Sequence, residues 1–265
     1  MAVAQEQHVT LSVEGAIAWI RFNQPARRNA IDTQARAELA AALKQVEKDE
    51  SVRVVVLTGE GTAFSSGADL RDFPTDVDVV EHVSHILRDD YMPMILKMRA
   101  MPKPIIAAVN GVAAGIGVSF ALAADIRIAT EDAAFVEAFV GIGLIPDGGA
   151  TWFLPRLVGT GKALEMCMTG QPLAARDAER LGLVNQVVPA DELESTVRTL
   201  AEKLAAGAPR AIAGAKRAIN RSLDCSLEDA MDYESYLQES MAGTSDFAEG
   251  VAAFVQKRPP KFRGK

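Results

Sequence analysis

The sequence predicts an α/β protein whose chain winds as a superhelical repeat of strand, glycine loop, helix and strand. Three observations predict it. A β-branched run, Val52 to Thr58, leads into the small-residue loop GEGTAFSSGADLRD (Gly59 to Asp72) and then a helical pattern. The same unit returns in PIIAAVNGVAAGIGVSFALAAD (Pro104 to Asp125), followed by a strand from Ile126 to Ala129. Beyond residue 160 the pattern is mostly helical. A doubly wound sheet shares this alternation, and a superhelical repeat fits the two stacked turns better.

The elements follow in order. Val9, Leu11 and Val13 alternate, Gly15 turns, and Ala16 to Phe22 completes a hairpin. Asn23 to Asn29 (NQPARRN) is a polar loop with Pro25 and two arginines. Asp32 or Thr33 caps the next helix, whose buried stripe is Ala35, Leu39, Ala42, Leu43 and Val46. Val77 to Met101 is helical in pattern and interrupted at Pro93. Short elements fill the chain from Ala129 to Gly149. Leu193, Val197, Leu200 and Leu204 mark a late helix, Pro209 starts another, and Ser226 with Asp229 caps a third. The tail, Gln256 to Lys265, is basic and carries Pro259-Pro260. No linker separates independent domains. Residues 1–200 read as the core, and residues 201–265 as a helical region packing on that core or on a neighbouring subunit.

Composition narrows the function classes. Of 265 residues, 49% are hydrophobic, enough for a substantial core, and the net charge of −7 gives no reason to expect nucleic acid or an anionic membrane as partner. Ile105 to Ala124 has the length of a membrane span, but Asn110 and the glycine turn argue against one. The N-terminal MAVAQEQHVTLSVEG has no basic and apolar targeting pattern. Two cysteines, Cys167 and Cys225, make no disulfide framework, and no His/Cys cluster has metal-ligand spacing. A cytoplasmic, metal-free protein is the expectation.

The central turn admits two readings. Asn110-Gly111 ends a buried strand, and Gly115-Ile116-Gly117 opens a helix. Such a junction presents unpaired N–H groups and the positive end of a helix dipole. It is either tight helix–sheet packing, which the spacing favours, or a hole for a phosphate or developing oxyanion. It matches neither GxGxxG nor a P-loop.

AFSSGADL (Ala63 to Leu70), KPIIAAVNGVAAGIG (Lys103 to Gly117), AADIRIAT (Ala123 to Thr130) and GLIPDGGATWFLPRLVG (Gly143 to Gly159) occur in this order. NQPARRNAID near the start and AEGVAAFVQKRPPKF near the end flank them. With these motifs the chain resembles the crotonase superfamily, the enoyl-CoA hydratase/isomerase family, over nearly its whole length. The resemblance implies a crotonase-like ββα superhelix with a C-terminal helical trimerisation region. It implies an acyl-CoA substrate, a homotrimer or dimer of trimers, and no cofactor beyond the coenzyme A of the substrate.

It also implies a site. The amides of Ala68 and Ile116 would hold the thioester oxygen as it becomes an enolate, which reverses the preference at the central turn. Small residues fit that role, because a carbonyl oxygen reaches an amide only where no Cβ blocks it. Coenzyme A would lie on the loop Ala26, Arg27, Arg28 and Ala30, and on Ser66, Ala68, Asp69 and Leu70. Arg27 and Arg28 would face phosphates, or else form a solvated loop. Phe139 falls in the acyl region. Phe254 and Lys257 match tail positions that reach a neighbour's coenzyme A site, or simply pack the tail.

The reaction turns on acids. The family's two hydratase glutamates fall on Ser119 and Phe139, which disfavours hydration through two carboxylates. Asp147, in IPDGG, stands where several isomerases carry their acid; its plainer reading is a turn or N-cap aspartate. Phe139, Ile145 and Pro146 are expected to bury it and raise its pKa. The expectation is an enoyl-CoA isomerase with one aspartate as acid–base. Alternatives are a hydratase using Glu137, another crotonase-type lyase or hydrolase, and a coenzyme A-binding pseudoenzyme. A dehalogenase would use Asp147 as nucleophile, but His82 and His85 read as surface residues. Trp152 and Phe153 read as core, and Glu131 and Asp132 as a solvated turn.

Overall fold

The computed structural model describes residues 6–72 and 79–265. The expected helix start at Val77 lies outside the described residues. The strands are β1 (Val9–Glu14), β2 (Ile17–Phe22), β3 (Val54–Gly59), β4 (Ala63–Ser65), β5 (Ile105–Val109), β6 (Val112–Ala114), β7 (Ile126–Thr130), β8 (Ala134–Val136), β9 (Leu173–Ala174) and β10 (Gln186–Val188). The helices are α1 (Thr33–Lys48), α2 (Val79–His85), α3 (Met92–Ala100), α4 (Ile116–Ala123), α5 (Ala150–Thr169), α6 (Ala175–Leu181), α7 (Leu193–Ala205), α8 (Pro209–Ser222), α9 (Leu227–Ala242) and α10 (Ser245–Val255).

The strands form two sheets, ordered β1-β2-β3-β5-β7-β10 and β4-β6-β8-β9. The pairs β3/β4, β5/β6 and β7/β8 each place one strand in the large sheet and the next in the small one. A ββα turn therefore repeats along one axis, as the sequence pattern predicts. The β1/β2 hairpin is antiparallel, with Gly15 at φ +60 turning it. The strands from β2 to β10 in the large sheet pair parallel.

Both faces of the large sheet are covered, which explains its unbroken apolar runs. Val55, Leu57, Ile105 and Ala107 face the main core beneath α1 and α4. Val54, Val56, Ile106 and Ala108 face the second cluster, which Leu193, Val197 and Ala201 of α7 close. The stretch from Ile105 to Ala124 is divided into β5, β6 and α4, and no helix among the described residues is long and apolar enough to cross a membrane.

Local signals resolve as follows. Asp32, not Thr33, caps α1, accepting from the Ala35 amide at 2.8 Å. Ser226 and Asp229 form a reciprocal capping box at α9. Pro93 does not break the chain into separate helices. A π turn over Ile86–Tyr91 precedes α3, and that wider turn accommodates the ring and the missing amide. The helix α4 begins at Ile116, within the glycine turn expected to open it, because Gly115 takes φ +53 and releases the chain into helix at once.

Candidate active site

Two glycine turns place two backbone amides in one cavity wall. Gly115 donates its N–H to the Val136 carbonyl at 2.9 Å, which ties the turn to β8. Ile116 is the first residue of α4, so its own N–H has no acceptor within the helix. In the other turn, Ile31 donates to Gly67 at 2.8 Å and Asp69 donates to Ile31 at 3.1 Å. Between them the Ala68 N–H has no partner among the described residues. Gly67 sits at φ +92, and a Cβ there would lie 2.8 Å from the Ala114 carbonyl oxygen. Gly117 is a packing glycine: its Cβ would meet Ser65 at 2.9 Å. The junction thus packs closely at Gly117, and the Ile116 and Ala68 amides have no partner among the described residues. Both donor residues line one cavity of about 150 Å³.

Asp147 lines the same cavity, and it is the one acidic side chain in the wall among the described residues. Its position follows from its backbone. Ser119 Oγ, buried on α4, donates to the Asp147 carbonyl at 2.8 Å. The Ala150 amide donates to the same oxygen at 3.0 Å. Gly148, at φ +57, lies so close to α4 that a Cβ would come within 2.4 Å of Ile116 Cδ1. The aspartate's backbone is therefore clamped against α4. Its side chain caps nothing: the N-cap of α5 is Gly149. The N-cap reading fails on this point, while Asp147 does open a turn through its carbonyl. Oδ1 is buried without a hydrogen-bond partner among the described residues, and burial pushes the carboxyl up to about 6.

Behind this wall lies a second acid. Glu137 is wholly buried, neither carboxyl oxygen has a partner among the described residues, and it is absent from the cavity wall. Burial and, second, the Asp147 charge push its pKa up to about 8, so it is held mostly neutral at neutral pH. Glu137 does turn inward, but it is not among the residues that line the cavity.

The structure brings Ser66, Ala68, Leu70, Ile116, Phe139 and Asp147 together around the cavity. The loop of Ala26, Arg27 and Arg28 is exposed and pinned to the rim: the Ser66 amide donates to Arg28 O at 2.8 Å. Arg27 lies 3.5 Å from Asp69, whose carboxylate also pairs with Arg71 at 2.7 Å. Ala30 is buried and outside the wall. Phe254 is 86% exposed on α10, and Lys257 follows it; neither touches this chain's own cavity. One expectation needs correcting. Ile145 is 80% exposed and cannot bury Asp147; Phe139, Leu144 and Tyr91 line the cavity instead. His85 is exposed and pairs with Asp89, and neither it nor His82 lines the cavity. Phe153 is core, and Trp152 lines a different cavity. Glu131 is exposed and pairs with Arg176.

Sequence reasoning missed Tyr91, Ile86 and Leu87, which form the far wall. Ile86 and Tyr91 are five residues apart and sit on the π turn. A search at the ordinary 3.6-residue period does not join them.

Comparison with known proteins agrees with this geometry. The family model for enoyl-CoA hydratase/isomerase matches residues 12–265. The chain is 40% identical over 257 residues to a probable enoyl-CoA hydratase of Rhodobacter capsulatus, covering 97% of this chain and 98% of that one. It is 39% identical over 254 residues to the 1,2-epoxyphenylacetyl-CoA isomerase of Escherichia coli, covering 96% and 97%. Among solved structures, an enoyl-CoA hydratase from Bacillus anthracis superposes with TM-score 0.93 at 34% identity, covering 98% of this chain and 100% of that one. The spiral of ββα turns, the paired glycine turns and the match along almost the entire sequence agree: this chain belongs to the enoyl-CoA hydratase/isomerase family of the crotonase superfamily.

Proposed function

We propose that the protein is an enoyl-CoA isomerase that moves a double bond with Asp147 as its single acid–base. The observation that carries this reading is one carboxylate, raised to about 6 by burial, in the same wall as the donors at Ala68 and Ile116. The thioester oxygen accepts from the two amides. Asp147 takes a proton from C2 of a 3-enoyl thioester, and the C3–C4 π electrons join a dienolate whose charge rests on that oxygen. The same carboxyl returns the proton to C4, leaving the double bond between C2 and C3. Atoms and charge balance without water or a redox partner. Ser119 cannot serve as a carboxylate, and Glu137 stands behind the wall, so two-acid hydration has no second acid at the acyl chain.

In this reading coenzyme A lies over Ser66, Asp69 and Leu70, with Ala26, Arg27, Arg28 and Ala30 forming the loop above it. Phe139 walls the acyl end. Phe254 and Lys257 act across a subunit boundary, in a cytoplasmic homotrimer or dimer of trimers. Exposed apolar side chains on the last helices, Leu227, Val251, Phe254 and Val255, support such an assembly. A monomer by light scattering at micromolar concentration would remove that part.

The likeness to the Escherichia coli isomerase favours a ring-opening variant of the same chemistry as a second reading. The test is direct. Incubation with 3-hexenoyl-CoA, 2-hexenoyl-CoA and 1,2-epoxyphenylacetyl-CoA, with product masses and absorbance followed, is expected to give isomers of unchanged mass. A product heavier by one water from 2-hexenoyl-CoA, with no isomer from the other two, would replace the proposal by hydration.

A further inference from the structure

A second cavity, of about 310 Å³, is lined at the end of α4 and along α5 and α8 by residues that the first cavity does not share, and its wall is rich in cations. Arg99, Arg127, Arg156 and Lys216 line it, with Asp125 as the one lining carboxylate among the described residues. Arg127 is 6% exposed. Its Nε donates to Leu183 O at 2.5 Å and its Nη1 to Ala124 O at 2.7 Å and Leu122 O at 3.5 Å. Its Nη2 has no partner among the described residues. The Lys216 side chain is 7% exposed, and its Nζ bonds Asp125 Oδ2 at 2.8 Å, Met98 O at 2.8 Å and Lys103 O at 3.2 Å. Asp125 Oδ2 also accepts from the Ile105 amide at 2.8 Å. Arg99 stacks on the Phe153 ring at 5.4 Å and donates to Asn220, with no carboxylate at ion-pair distance among the described residues. Arg156 stacks on Trp152 at 4.1 Å and has its own partner in Asp224 at 3.4 Å.

Setting that last pair aside, three cations share one carboxylate, an excess of two positive charges in a largely desolvated space. Carbonyls at the end of α4 offset part of it. Burial lowers the pKa of Arg99, Arg127 and Lys216 alike, and charge left uncompensated in such a place is costly. A planar guanidinium with free N–H groups fits tetrahedral oxyanions well.

We propose that this cavity binds a phosphate-class dianion, held by Arg127 Nη2, the free N–H groups of Arg99 and the charge of Lys216. The site is separate from the acyl-CoA cavity, and the inference holds whichever reaction the protein catalyses. It is nonetheless joined to that cavity. The helix α4 has Ile116 at one end and the carbonyls bonded to Arg127 at the other, about 12 Å apart at 1.5 Å per residue.

The experiment is calorimetric titration of the full chain with inorganic phosphate, and separately with glycerol 3-phosphate, against chloride at equal ionic strength. Saturable binding of one anion per chain is expected, with a raised melting temperature. Preference for the free ion or the ester identifies the source, and either supports the site. Arg99→Gln, at a half-buried position outside the acyl cavity, is expected to weaken binding at least about tenfold, the loss of one charged contact. Arg27→Gln with Arg28→Gln is expected to leave it unchanged. No saturable binding overturns the proposal, including where a second copy covers the cavity. So does binding that survives Arg99→Gln intact or disappears with the Arg27/Arg28 pair.

Discussion

Asp147→Asn is expected to lower kcat for double-bond transfer by about 10²–10⁴-fold while KM changes little, and to raise the melting temperature at the same time. The kinetic part follows from removing the one carboxylate in the cavity wall among the described residues. The stability part follows from linkage. The folded-state pKa is raised from 3.8 to about 6, so the folded protein holds that proton more tightly than the unfolded chain does. The group's stabilising contribution is complete below the unfolded value and is lost as pH rises through about 6. Near pH 8 the ionised, half-buried carboxylate costs on the order of 2 kcal/mol after discounting for its partial exposure. Asparagine carries no such charge, so the variant should melt several degrees higher, at roughly 2–4 °C per kcal/mol for a chain of this size. In the wild type, kcat/KM should climb with pH through about 6 as the base ionises. Turnover of the asparagine variant within a few-fold of wild type would end the assignment.

Glu137→Gln is expected to do the reverse: almost nothing to turnover near neutrality, and a large gain in stability at alkaline pH. The wild-type carboxyl is neutral over most of the range because burial first, and the Asp147 charge second, raise it from 4.5 to about 8. Its stabilising contribution is present below about 4.5 and is lost as pH rises through about 8. By about pH 9 an unpartnered buried carboxylate costs on the order of 2–4 kcal/mol, and the glutamine avoids that charge. The measurement is the difference in melting temperature between variant and wild type across about pH 5 to 9, which should widen steadily with pH. Parallel melting curves would show that Glu137 stays neutral or finds a partner throughout. Because Glu137 charges only in the alkaline range, an alkaline fall in wild-type activity that the variant lacks would mark its repulsion of the Asp147 anion.

Much of this molecule is legible in one dimension. The alternation Val54, Val56 against Val55, Leu57 gives a strand covered on both faces. Gly67 and Gly115 announce backbone conformations that bulky residues avoid, and Asp32 and Ser226 announce helix starts. Other features are not legible, for identifiable reasons. Ile145 is apolar and two residues before Asp147, yet is exposed to solvent, because local sequence carries no information about which face of a loop meets the core. Ser119 looks like a lost catalytic glutamate and is instead the clamp on the Asp147 carbonyl. Tyr91 joins the wall through a π turn that ordinary helical spacing conceals.

By itself, the order of residues determined the succession of ββα turns and the two glycine junctions, since these depend on backbone preference and on contacts between near neighbours; Asp147 was singled out by the resemblance to a family, not by local pattern. Only the tertiary structure decided that Glu137 is buried outside the cavity wall, that Asp147 is desolvated where its loop packs on α4, and that Arg99, Arg127 and Lys216 share one carboxylate. Those are matters of solvation and of groups brought together from distant parts of the chain. An electrostatic environment is a property of the space around a side chain, and that space exists only once the chain has folded.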